Sequence, residues 1–81
     1  MEIYVNNLAA GTQEEQLKDL FAAFGEVAAI RINANSFTKL HKGNAFVSMR
    51  NRNEGTQAIE ALNGTSFNGR KIVVNEARAR I

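Results

Sequence analysis

Tyr4 and Phe46 each sit between small or aliphatic residues, in Ile3-Tyr4-Val5 and Ala45-Phe46-Val47. Side chains alternate faces along a strand. If Ile3 and Val5 face a core, Tyr4 and Asn6 face away from it. If Ala45, Val47 and Met49 face the core, Asn44, Phe46 and Ser48 face away. Turning either ring inward would push a valine out. Two outward rings, with Arg31, Lys42 and Arg50 around them in sequence, suit single-stranded nucleic acid, whose bases stack on ring faces and whose phosphates attract cations. The plainer alternative is a cross-strand aromatic pair that only stabilises a sheet, by ~0.2–1 kcal/mol. The two residues alone leave both readings open.

Other chemistry has little to work with. The 81 residues contain no cysteine and one histidine, His41. That excludes a thiol nucleophile, a disulfide and a thiolate metal site. His41, beside Lys42, reads as a loop residue or a minor nucleic-acid contact rather than a ligand or catalyst. No enzyme, metal or cofactor is expected. The formal charge of +2 is unevenly spread. Residues 1–30 carry Lys18 against Glu2, Glu14, Glu15, Asp19 and Glu26, whereas residues 31–81 carry nine basic side chains against three acidic ones. Such asymmetry points to an anionic partner, against the blander reading of a solvated surface. Glu14, Glu15 and Asp19 read as a solvated helix face. No apolar run approaches the ~18 residues that cross a membrane, and residues 1–4 read as strand rather than leader. A reducing, aqueous compartment and no membrane partner are the expectation.

The elements that must position the two rings follow from periodicity. Residues 2–6 read as a strand. Thr12-Gln13-Glu14-Glu15 reads as a capping box opening a helix with Leu17, Leu20, Phe21 and Phe24 on one stripe. Gly25 is expected to end that helix in a left-handed cap. Val27–Ile32 and residues 44–49 read as strands two and three, separated by a polar loop over about 33–43. Asn51-Arg52-Asn53-Glu54 reads as a second capping box, for a helix through Leu62 closed by Asn63-Gly64. Phe67 and an Asn68-Gly69 turn lead to a last strand, Lys71–Asn75. The order is βαββαβ, within one domain over residues 1–81. This is an α+β, ferredoxin-like split-βαβ arrangement, with two helices on one face of a four-stranded antiparallel sheet and the other face open.

Ile3-Tyr4-Val5-Asn6-Asn7-Leu8 resembles the six-residue motif of the RNA recognition motif family. Lys42-Gly43-Asn44-Ala45-Phe46-Val47-Ser48-Met49 resembles its eight-residue partner, K/R-G-F/Y-G/A-F-V-x-F/Y. The helix ends Leu20–Val27 and Ala58–Gly64 are similar as well, so the likeness covers essentially the whole chain. It implies that Tyr4 and Phe46 lie side by side at the sheet's centre as stacking rings, that Lys42 contacts phosphate, and that the region of Asn75, Arg78 and Arg80 crosses the RNA. Asn44 stands where the family has an aromatic, so an amide able to bond a base edge replaces one ring. Met49 replaces another aromatic, on the core side.

The reading is a monomer that binds single-stranded RNA through Tyr4 and Phe46, with Asn6, Asn44, Ser48 and Asn75 as polar contacts and Arg31, Lys42, Arg50, Arg78 and Arg80 as charges. The rival is a protein-interaction module on the same fold, with Phe37 and Leu40 meeting a partner. A small hydrolase on this scaffold has neither a glycine-rich phosphate loop entering a helix nor an acid–base pair. The length and the tail Val73–Arg78 resemble the small stand-alone bacterial members of the family, which implies the cytoplasm. A domain of a longer eukaryotic protein would imply the nucleus instead.

Overall fold

A computed structural model of the chain describes residues 1–9, 11–33 and 43–77. Its elements are β1 (Glu2–Leu8), α1 (Glu14–Ala22), β2 (Val27–Asn33), β3 (Gly43–Met49), α2 (Arg52–Leu62), β4 (Ser66–Phe67), β5 (Arg70–Lys71) and β6 (Val73–Glu76). Four strands form one sheet in the order β2-β3-β1-β6, and every neighbouring pair is antiparallel. The two helices and the apolar strand positions enclose the core. Ile3, Val5, Ala45, Val47, Ile72 and Val74 meet Leu17, Phe21, Ala58 and Leu62, all buried. The expected architecture is therefore present.

The helix starts differ from expectation in an instructive way. α1 begins one residue later than the Thr12 box implies. Gln16 Oε1 accepts from the Gln13 backbone N–H at 3.1 Å. Thr12 is instead buried, its hydroxyl donating to the Ala9 carbonyl at 2.7 Å and accepting from Asn68 Nδ2 at 3.3 Å. A threonine hydroxyl serves a turn as readily as a cap. At α2 the Asn51 half of the box forms, with Asn51 Oδ1 accepting from the Glu54 N–H at 3.1 Å. Glu54's own side chain lies against Gly25 instead.

That contact also explains Gly25, which is not left-handed: the positive-φ glycines described are Gly11, Gly64 and Gly69. α1 closes on Ala23. A Cβ at position 25 would stand 2.8 Å from Glu54 Cβ, well inside carbon–carbon contact. Glycine is needed there for close approach, not for its φ. At the end of α2, Gly64 does take φ +83°, as a helix stop of the expected kind.

The expected last strand divides in two. Asn68 and Gly69 have φ of 53° and 83°, the two positive values of a tight I′ turn, so β4 and β5 form their own two-stranded ribbon. Ile72 points into the core at the break, and β6 then joins β1. Side chains from both helical segments reach the sheet's outer strands. Asn63 Oδ1 accepts from the Val74 N–H at 2.9 Å. Glu14 Oε2 accepts from the Ile32 N–H at 3.4 Å.

Phe21 is the largest fully buried side chain. Phe21→Ala is expected to lower unfolding stability by ~3–5 kcal/mol, read as a drop in the urea midpoint at unchanged slope.

Candidate functional site

The strand register brings the outward residues into one line. Arg31 on β2 pairs with Phe46 on β3, Phe46 with Tyr4 on β1, and Tyr4 with Asn75 on β6. Directly opposed residues share a face. A single row, Arg31–Phe46–Tyr4–Asn75, therefore crosses all four strands on the face away from the helices. At ~4.8 Å per strand, its ends stand about three strand spacings apart. The Tyr4 and Phe46 rings at its centre lie with centroids 5.1 Å apart and planes tilted by 50°. Phe46 is 44% exposed, too open for a core residue, and Tyr4 is half-buried.

The other expected polar residues flank this row. Asn44 and Ser48, two positions either side of Phe46, are both half-buried on the same face. Asn6, opposite Val73, is exposed, but its Oδ1 accepts from the next residue's backbone N–H at 2.8 Å. That leaves its Nδ2 as the group facing outward chemistry. Asn7, with φ 66°, sits where the β1–β3 register shifts. Its Nδ2 donates to the Lys71 carbonyl, tying the β4–β5 ribbon to the end of β1. Arg50, just past β3, does not stand alone. Its Nε donates to Glu26 Oε2 at 3.0 Å, with both side chains largely exposed. Exposed pairs of this kind contribute ~0–1 kcal/mol, little enough to be exchanged for another anion. Lys42, Arg78 and Arg80, with Phe37, Leu40 and His41, lie outside the described residues.

Three residues of this face, Glu2, Ala29 and Val73, are not among those the sequence singles out. Glu2, Ala29, Ile30 and Arg31, with Phe46 and Ser48, line a shallow depression beside the Phe46 ring. Glu2 has the same strand parity as Tyr4, which was a usable signal. What the sequence does not carry is the pairing of Glu2 with Ser48 and of Ala29 with Ser48. Val73, 42% exposed, follows the same alternation at the other end. Among the described residues no group of three or more His, Cys, Asp or Glu side chains could hold a metal ion, and no helix is long and apolar enough to cross a membrane.

A sheet of this order with two central rings on its open face defines a known class, and comparison with known proteins agrees. Residues 3–73 match the family model of the RNA recognition motif, and the chain belongs to that family. It is 40% identical over 80 residues to RbpB of Nostoc sp., a candidate RNA-binding protein by its name, in an alignment covering 99% of this chain and 78% of that one. Among solved structures, RNA binding protein PG1 superposes with a TM-score of 0.85 at 36% identity, over 100% of this chain and 98% of the other. A complex of the Sxl-lethal protein with RNA gives 0.83 at 28% identity, over 98% of this chain and 47% of the other.

Because both rings stand off the core, truncating them should spare the fold. Tyr4→Ala and Phe46→Ala are each expected to lose the tilted aromatic pair, ~0.5–1.5 kcal/mol beyond the area each ring buries. Chemical denaturation checks this against the larger Phe21→Ala loss.

Proposed function

We propose that this domain binds single-stranded RNA across its open sheet face. The observation that carries the reading is the row Arg31–Phe46–Tyr4–Asn75, with two adjacent rings between a cation and an amide. Bases splayed from a single strand stack on the rings, and each stack contributes ~1–3 kcal/mol by alanine substitution. Arg31 takes a phosphate at one end of the row, and Asn75 bonds a base or sugar at the other. Asn44, Asn6 and Ser48 supply polar contacts on either side. Arg50 adds charge by exchanging Glu26 for phosphate. Lys42, Arg78 and Arg80 add charge in the same reading, and a monomer suffices for it. Membership of the RNA recognition motif family and the likeness to a protein solved in complex with RNA support the reading. No chemical step is involved: binding is stacking plus phosphate neutralisation.

A chemical-shift titration with short mixed-sequence RNA oligomers tests this directly. Shifts concentrated on residues 3–6 and 44–48 are expected. Tyr4→Ala and Phe46→Ala should each weaken binding by ~1–3 kcal/mol, and unchanged affinity in both would remove the sheet face as the site. The logarithm of affinity should fall linearly with log salt, by ~0.7 per phosphate contact, and Arg31→Ala should flatten that slope by about one contact.

Asn44 provides a second test. It lies two residues from Phe46 on the same strand and face. If Asn44 only vacates a stacking place, Asn44→Phe should tighten binding to trinucleotides and longer RNA by up to ~1–3 kcal/mol. Weaker binding with an altered base preference would mean instead that the amide reads a base edge.

A further inference from the structure

The depression beside Phe46 has opposed chemistry on its two rims. Glu2 on β1 lies directly opposite Ser48 on β3, and Arg31 on β2 lies directly opposite Phe46. All four line the same hollow. A carboxylate and a guanidinium thus face each other diagonally across β3, with the small Ser48 and Ala29 side chains leaving the floor open between them. With strands ~4.8 Å apart and alternate residues ~6.6 Å apart along a strand, the two Cα positions are separated by about 12 Å. That span holds one nucleobase with a hydrogen bond at each side.

A carboxylate on a face that meets phosphates repels the ligand unless donors face it. A base can supply them. A carboxylate accepts two parallel hydrogen bonds from adjacent donors, and a guanidinium donates two to adjacent acceptors. Guanine offers both. Its N1–H and N2 amino group lie side by side on one edge, and O6 and N7 lie side by side on the other. Adenine and cytosine place an acceptor next to their one amino group. Uracil places carbonyls on both sides of its single N–H.

We propose that this hollow is a guanine-selective pocket, in which Glu2 accepts from N1–H and N2–H, Arg31 donates to O6 and N7, and the base rests against Phe46 and Ser48. The inference rests on the reading of the open face as an RNA site, and it adds base selectivity at one defined place. Arg31 then reads a base edge at this nucleotide instead of only neutralising a phosphate.

The test uses uridine pentamers whose central base is uracil, guanine, inosine, adenine or cytosine, titrated by fluorescence anisotropy into the parent chain, Glu2→Gln and Tyr4→Ala. The parent should bind the guanine pentamer about 5- to 150-fold more tightly than the adenine and cytosine pentamers, the range of one good bidentate base contact. Inosine, which lacks the N2 amino group, should fall between. In Glu2→Gln the guanine advantage should shrink by about fivefold or more, to what Arg31 supplies at O6 and N7, while the uridine pentamer binds at least as well, because one carboxylate oxygen becomes a donor and a repelling charge is removed. Glu2 is exposed and glutamine is nearly isosteric, so the fold should be unaffected. Equal binding of all five pentamers by the parent, or a guanine preference undiminished in Glu2→Gln, overturns the pocket. Tyr4→Ala separates the two failures. If it weakens every pentamer, the RNA-binding reading stands and only the guanine pocket falls. If it weakens none, both fall.

Discussion

Everything on the open face depends on the burial of the residues between it and the helices. β1 and β3 lie at the sheet's centre, and Ile3, Val5, Ala45, Val47 and Met49 are almost completely buried against α1 and α2. The isoleucine, valines and methionine each contribute about 1.5–3 kcal/mol through removal from water, so a one-residue slip of either strand would forfeit several such terms at once. The hydrophobic core therefore fixes where Tyr4 and Phe46 point. The antiparallel pairing of the two strands then brings the rings within 5.1 Å. The ring-bearing face is a by-product of core packing. It is held in place by interactions made on the opposite side of the sheet.

Charge is placed differently on the two faces of the domain. Glu14 and Glu15 stand exposed in the first turn of α1 and Asp19 further along it, on the layer that covers the far side of the sheet. On the open side Arg31 is set against Glu2. Negative charge in the first helical turn is also favourable to the helix itself, so Glu14 and Glu15 stabilise α1.

The legible part of this chain was the part governed by period and by glycine. The alternation around Tyr4 and Phe46, the span of α2 and the Asn68-Gly69 turn all follow from local rules, and the structure has them. Three features needed tertiary information. Thr12 has the composition of a cap, yet Asn68, distant in sequence, supplies a partner that favours another role. Gly25 looked like a left-handed stop because a helix ends near it, but its neighbour Glu54 is what demands the missing side chain. Lys71–Asn75 reads as one strand because its alternation is unbroken. Only the ribbon formed with Ser66–Phe67 divides it. Glu2 had the right parity, but its significance lies in which residues face it across β3, and pairing is not written in any one strand.

The hydrogen bonds from Asn63 and Glu14 to the outer strands have a consequence beyond anchoring. β6 and β2 are the two edges of the sheet. An uncovered edge offers free N–H and C=O groups on which another chain can add a strand, the usual route from a folded sheet to fibrous aggregate. On the β6 side Asn63 takes the Val74 N–H, while Gly64 and Thr65 exchange backbone hydrogen bonds with Ile72, so the segment leaving α2 runs along the edge as a selvage. On the β2 side a single carboxylate from α1 meets the Ile32 N–H. Each crossover helix thus both fills the core and hems one margin of the sheet. The sheet can thus leave one whole face and two rings exposed while its margins stay less open to copies fusing edge to edge.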